Sequence, residues 1–396
     1  MTRRIGGSMA LLAVVAAACG PLSNDRDRVD AGDDGKLVTV RQVESSPRED
    51  MISALENPTA AGLPPPLIEP DELLAGGPPP DGIPAIDEPK FVRASSARFL
   101  EDDEPVLAVE VDGEARAYPV QIMTWHEIVN DTIAGRPVTV SYCPLCNSAI
   151  AYDRRLGDRV LDFGTSGMLY RSALVMYDRQ TESLWSHFTG EGVAGALTGE
   201  ELRLIPMSTV SWSDWLDANP NGLVLSRDTG HSRNYGENPY PGYDDVNDPP
   251  FLFEGEIDGR LAAKERVVGI RRGGDAVAIR TADLFEHRVL ELELDGQPLV
   301  VWLEPGTASA LDEPFVDRGR DVGATGVFEP TLDGRTLTFE PIKAGFRDAE
   351  TGSTWDVLGN ATGGPLAGSQ LTPVEHVDTF WFAWAAFLPD TRIAET

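Results

Sequence analysis

The chain is poor in cysteine, poor in lysine and without a long apolar run, and each shortage removes a class of protein. Three cysteines in 396 residues cannot staple a disulfide scaffold. Only four of the 33 basic residues are lysine, against 64 acidic residues, and the formal net charge is -31. Such a surface argues against nucleic-acid binding, which needs clustered cations on phosphate. No stretch reaches the roughly 20 apolar residues that cross a bilayer as a helix. A hydrophobic content of 41% is nevertheless enough for a packed core, so a disordered chain is excluded.

The N-terminus reads as an address. Arg3 and Arg4 precede an apolar run over 9–18 that ends Ala16-Ala17-Ala18-Cys19-Gly20. The run has the size of a signal-peptide core. Small residues before a single cysteine resemble a lipoprotein signal over 1–18, which implies lipid on Cys19. The expected protein is extracytoplasmic, with the membrane as its partner through that lipid, at the cell membrane or the outer membrane. Residues 19–80 are acidic and carry Pro64-Pro65-Pro66 and Pro78-Pro79-Pro80, which predicts an extended tether.

The folded part repeats itself. Residues 106–144 match 267–305 without gaps, His126 meeting His287 and Pro144 meeting Pro305. Further on, Trp185, Trp212 and Trp215 meet Trp355, Trp381 and Trp384. Ordered matches of this kind predict a duplicated unit. The spacing predicts repeat 1 over 81–225, an inter-repeat loop over 226–258 and a degenerate repeat 2 over 259–396. Within repeat 1, alternation around Asp112-Gly113 predicts a hairpin over 106–119. A short helix is predicted over 122–131, a strand over 137–142, strands over 149–153 and 160–163, and a helix over 211–218 with Trp212 and Trp215 on one face. The fold class is α+β and β-rich, two pseudo-symmetric repeats of strands with short helices.

Chemistry concentrates in repeat 1. With Cys19 lipidated, Cys143 and Cys146 are the remaining thiols, in Tyr142-Cys143-Pro144-Leu145-Cys146-Asn147-Ser148. Repeat 2 has Glu304 and Thr307 in their places, so the pair is not needed to build the unit. A Cys-Pro-x-Cys turn aims two sulfurs one way and offers them backbone N–H groups. The residue after the second cysteine often needs φ > 0, which Asn147 tolerates. One such knuckle supplies two metal ligands and a closed site needs four. His126 is the best third ligand, with Met168 and His187 as further candidates. Cys, His and Met together suit copper; Cys and His alone suit zinc or iron. Two other uses stay open: a dithiol–disulfide couple, which would make the protein a thiol–disulfide oxidoreductase, and a static disulfide in a structural or ligand-binding lipoprotein.

His126 also begins a zincin-like His-Glu-x-x-x run, but Asn130 stands where a second histidine is required, which argues against a metalloprotease. The inter-repeat loop gathers Arg227, Asp228, His231, Arg233 and Tyr235. That mix of cations, carboxylate, imidazole and phenol forms a candidate ligand loop for a polar or anionic molecule.

Five segments resemble one family. They are Asp81-Gly82-Ile83-Pro84-Ala85-Ile86-Asp87, Trp125-His126-Glu127-Ile128-Val129-Asn130-Asp131, Tyr142-Cys143-Pro144-Leu145-Cys146, Leu174-Val175-Met176-Tyr177-Asp178-Arg179 and Ser226-Arg227-Asp228-Thr229-Gly230. Together they look like the bacterial and archaeal family known as domain of unknown function 3179, over roughly residues 80 to 392. Members typically have glycine where this chain has Asn147. The resemblance implies no activity, substrate or cofactor.

Overall fold

The computed structural model describes residues 35–395. The stretch read as a signal segment, and Cys19 with it, lies outside the described residues. The protein is β-rich, with four α-helices of seven residues each among the described residues: α1 Val120–His126, α2 Trp212–Ala218, α3 Thr281–His287 and α4 Trp381–Phe387.

The first half opens with the hairpin Pro105–Val111 and Glu114–Pro119, turning at Asp112 and Gly113, both with positive φ. That is the conformation whose twist suits a two-residue hairpin loop. Met207–Ser211 pairs antiparallel with the first strand and Leu223–Leu225 parallel with the second. A second sheet runs in the order Leu204–Ile205, Ser148–Asp153, Arg136–Cys143, Ile128–Ile133. A third runs Leu73–Ala75, Phe163–Tyr170, Ala173–Asp178, Leu184–Ser186, Gly192–Ala194.

In the second half, Val377–Phe380, Arg266–Arg272, Asp275–Arg280 and Arg392–Ile393 form a sheet in that order, with only the last join parallel. Beside it lies a sheet of Val289–Leu294, Gln297–Glu304, Ala324–Glu329 and Thr372–Pro373. One buried polar motif occurs in both halves. Trp185 Nε1 donates to Asp178 Oδ2 at 2.9 Å, and Trp355 Nε1 to Asp348 Oδ2 at 2.9 Å. The Thr181 and Thr351 backbone N–H groups each donate to the same aspartates at 2.6 Å.

Two sequence expectations change. The helix expected over 122–131 stops at His126, and Ile128–Ile133 is a strand. Its β-branched residues Ile128, Val129, Thr132 and Ile133 fit a pleated surface, and pairing with Arg136–Cys143 decides the register. The stretch read as a tether is bound to the fold from Val38 onward. Val38 N donates to Phe91 O, Ser46 N to Val160 O and Leu67 N to Val193 O. Ala54 and Ile68 are buried in a cluster with Tyr170 and Val175. Backbone pairing plus this apolar anchoring holds a segment whose composition suggests a spacer.

The tryptophans at i and i+3 are core residues, as their helical spacing predicts: Trp212, Trp215, Trp381 and Trp384 are all buried. One apolar cluster holds Cys143, Cys146, Trp185 and Phe188 from the first half and Phe380, Trp381 and Trp384 from the second. The halves therefore share a core, and the cysteines sit in it.

Candidate dithiol site

Strand Arg136–Cys143 delivers Cys143 at its end, and the turn Pro144–Asn147 brings Cys146 back beside it before Ser148–Asp153 departs antiparallel. Asn147 closes the turn with φ 50°, the left-handed conformation expected after the second cysteine. Both thiols are unbridged and buried.

Their surroundings differ. Burial pushes the Cys143 thiol up, but the Cys146 S–H and the backbone N–H groups of Cys146, Leu174 and Leu145 outweigh it. The net effect holds Cys143 below the ordinary thiol value. Burial and the neighbouring Cys143 sulfur push Cys146 well above that value, against the help of Ser148. The turn therefore creates one sulfur disposed to be thiolate and one disposed to keep its proton.

Behind Cys146 runs a chain of side chains. Its sulfur lies 2.9 Å from Ser148 Oγ, which lies 2.9 Å from His187 Nε2, and His187 Nδ1 lies 2.8 Å from Ser141 Oγ. Burial lowers His187 to about 3, so the ring is neutral at pH 7. Beside Cys143, the Glu127 carboxyl is driven well above the usual carboxylate range, first by burial and then by the Cys143 charge. Glu127 follows α1 with φ 59°, and its carbonyl accepts from Tyr142 N at 2.8 Å.

The inter-repeat segment and the second half cover the turn. Tyr243 OH donates to Leu145 O at 2.8 Å and accepts from Phe251 N at 3.2 Å, while Ser172 Oγ donates to Phe251 O at 2.6 Å. Cys146 O accepts from Phe380 N at 3.0 Å and from Thr379 Oγ1 at 2.8 Å. The thiols are thus sealed under aromatic side chains and strapped from two sides.

His126 is committed elsewhere. Its Nδ1 lies 2.7 Å from Pro84 O, and a carbonyl only accepts, so Nδ1 carries the proton. Nε2 then accepts from Tyr235 OH at 2.6 Å, and Tyr235 in turn accepts from Thr229 Oγ1 at 2.6 Å. Burial holds this imidazole down to about 4. Met168 packs in the separate apolar cluster around Tyr170 and Val175. The ligand loop divides its attention. Arg227 donates to Gln121 Oε1, Asp228 pairs with Lys90, and the His231 ring stands 5.3 Å from that of His126, with Tyr235 between loop and histidine. Arg233 is exposed, its Nη1 donating to Ser232 O. It is the later Tyr240 and Tyr243, not these five residues, that pack with the cysteine cluster. Among the described residues no group of three or more His, Cys, Asp or Glu is arranged to hold a metal ion.

Sequence reading gave no role to Glu127 or Ser148, though Ser148 had a signal, two residues past Cys146 on the emerging strand. Tyr243 follows the loop residues that sequence reading placed as a possible cover for the cysteines, and its partner Leu145 lies 98 residues away.

The fold and site define a β-rich protein with a buried, asymmetric dithiol in one half of a two-part core. The chain belongs to the family described as protein of unknown function (DUF3179), whose model matches residues 80–391. No curated protein and no solved structure matches it.

Proposed function

We propose that this is a lipid-anchored, extracytoplasmic thiol–disulfide oxidoreductase whose Cys143–Cys146 pair cycles between dithiol and disulfide. The observation that carries the reading is the asymmetry of two unbridged, adjacent sulfurs: one favoured as thiolate by four donors, the other favoured as thiol. In the working direction that reduces a substrate disulfide, the Cys143 thiolate attacks one sulfur and expels the other as thiolate. Cys146 then gives up its proton and attacks Cys143 Sγ, releasing the second substrate sulfur. Two electrons pass to the substrate, which leaves as one thiol and one thiolate, and the protein keeps an intramolecular disulfide. The Tyr240–Phe253 cover must open for this, so a small disulfide or an extended partner segment is the expected substrate.

A second reading rests on the turn itself. N–H donors around one sulfur and a left-handed Asn147 are also what a metal–thiolate knuckle uses, so Cys143 and Cys146 would hold copper or zinc. His126 could join only by giving up both present partners. One titration separates the readings. The full chain is equilibrated over a series of reduced-to-oxidised glutathione ratios, with thiols counted and metals measured by mass spectrometry. A reversible loss of two thiols without bound metal supports the redox reading. Stoichiometric metal that survives purification and blocks oxidation sinks it.

We also infer that the halves are diverged copies of one unit related by a pseudo-twofold axis. The support is the shared strand order, with its single parallel join at the same place, and the matched Asp–Thr–Ser–Trp motifs. Guest circular dichroism on each half expressed alone is uninformative if neither folds; the sharper test is exchange. Replacing 178–185 by 348–355 should preserve folding, and loss of the folded state would count against equivalence.

A further inference from the structure

Cys143 and Cys146 are buried, so a segment must move before either sulfur can meet a disulfide. The chain that covers them is held unevenly. Its near end is fixed. Gly242 N donates to Asp312 O at 2.5 Å, and the buried Lys264 ammonium donates to Tyr243 O at 2.5 Å while standing 4.1 Å over the Tyr243 ring. The buried Asp244 carboxylate accepts from Arg266 Nη2 and Arg320 Nη1, each at 2.9 Å. The far end is fixed by Phe253, whose ring packs 5.2 Å from that of Phe382.

Between these points the hold is slight. Residues 245–249 and Phe251 are exposed. Asp245 Oδ1 accepts from Asn247 N, and Asp248 N donates to Asp245 O, so these bonds close within the loop. Among the described residues, the hydrogen bonds that tie 246–252 down are the two made by the Phe251 backbone. Its N–H donates to Tyr243 OH at 3.2 Å, and its carbonyl accepts from Ser172 Oγ at 2.6 Å. Both partners also touch the thiol turn. Tyr243 OH donates to Leu145 O at 2.8 Å, and Ser172 O lies 3.9 Å from Cys143 Sγ. The next residue, Leu252, has φ 50°, a left-handed conformation that a bulky side chain adopts at a cost. Such a conformation persists only where neighbouring contacts impose it.

We infer that residues 245–252 are the part of the cover that opens: a gate over the dithiol, latched by Tyr243 and Ser172 through the Phe251 backbone and biased toward opening by Leu252. It swings between Asp244 and Phe253 while both stay docked. Tyr243 and Ser172 are positioning residues, since they act on access to the sulfurs and not on the sulfur chemistry. As a device for admitting substrate, the gate rests on the redox reading of the site.

The test is labelling of the thiols of the full chain with N-ethylmaleimide, followed by intact mass, at urea concentrations below the unfolding transition. Opening of the gate exposes little surface, so the labelling rate should be nearly flat in urea. Tyr243→Phe and Ser172→Ala each remove one latch bond and should speed labelling about twofold to tenfold. Leu252→Gly removes the left-handed cost and should slow labelling by about twofold to tenfold. A change of rate at unchanged urea dependence reports the gate and not global unfolding. Labelling that climbs steeply from the lowest urea concentration, latch variants that label at the native rate, or faster labelling of Leu252→Gly would overturn the inference. Maleimide needs no redox couple, so the two failures are separable. A chain that never forms the disulfide sinks the redox reading, whereas a chain that cycles but labels only through unfolding sinks the gate.

Discussion

Positions 127 and 143 of the first half and 288 and 304 of the second occupy corresponding places, and they hold different chemistry. Glu127 and Arg288 each follow a seven-residue helix with left-handed backbone, φ 59° and 61°. Each carbonyl accepts from the residue before its strand-end partner, Tyr142 N and Leu303 N. In the second half the Arg288 guanidinium donates to the Glu304 carboxylate, which also accepts from Gly345 N at 2.9 Å. In the first half a buried carboxyl stands beside the Cys143 thiol, with no ion-pair partner among the described residues. Two turns of like backbone thus carry an ion pair in one place and a buried thiol pair in the other. The second arrangement pairs its charges, whereas in the first the ionisation of the carboxyl is opposed by burial and by Cys143.

The comparison can be broken at several places. Trp381→Ala is expected to have the largest effect, about 3–5 kcal/mol, because Trp381 packs in the core shared with the cysteines. Urea unfolding should show both halves melting together; two separate transitions would mean the halves are energetically independent. The buried histidines come next. His126 and His187 are depressed to about 4 and about 3, below the ordinary value of 6.5. Their contribution to stability is present above pH 6.5 and is lost as pH falls through that value toward 4 and 3. His126→Gln should remove about 1–3 kcal/mol of this acid sensitivity, measured as urea unfolding between pH 4 and 7; an unchanged pH dependence would remove His126 as its source.

Glu127 is opposite in sign. Its folded value is raised, so its contribution is fully present below the unfolded carboxylate value near 4.5 and is lost as pH rises through the folded one. Glu127→Gln should therefore become more stable than the native chain as pH is raised from 5 to 9. A constant difference over that range would remove Glu127 from the account. The smallest change is Asn147→Gly, at most about 1 kcal/mol in either direction. Relief of the left-handed conformation opposes loss of the Tyr142 OH to Asn147 Oδ1 bond, 3.2 Å long. Thermal unfolding would measure it.

Much of the first half was legible because its signals are local. Asp112-Gly113 marked the hairpin, tryptophans at i and i+3 marked the buried face of α2, and Cys-Pro-x-Cys-Asn marked the turn. What escaped was set by distant partners. Residues 128–133 carry a pattern that continues α1 as well as it begins a strand, and only pairing with 136–143 decides between them. The wrapping of 38–80 rests on backbone hydrogen bonds and a few scattered anchors such as Ala54 and Ile68, too sparse to show as a strand or helix period. His126 looked like a ligand because its spacing from the cysteines is short, yet its partners are Pro84 and Tyr235, 42 and 109 residues away. His187 lies behind Cys146 only because Ser141 and Ser148, diagonal to each other on adjoining strands, both reach it.

The most direct test of the central claim is trapping. Cys143→Ser and Cys146→Ser forms of the full chain would each be incubated with a small aromatic disulfide, and the covalent adduct counted by intact mass. The account predicts a persistent mixed disulfide on Cys143 in the Cys146→Ser form and little on Cys146 in the Cys143→Ser form, because only Cys143 is held as a nucleophile. Equal labelling of both, or stable adducts on Cys146 alone, would contradict it.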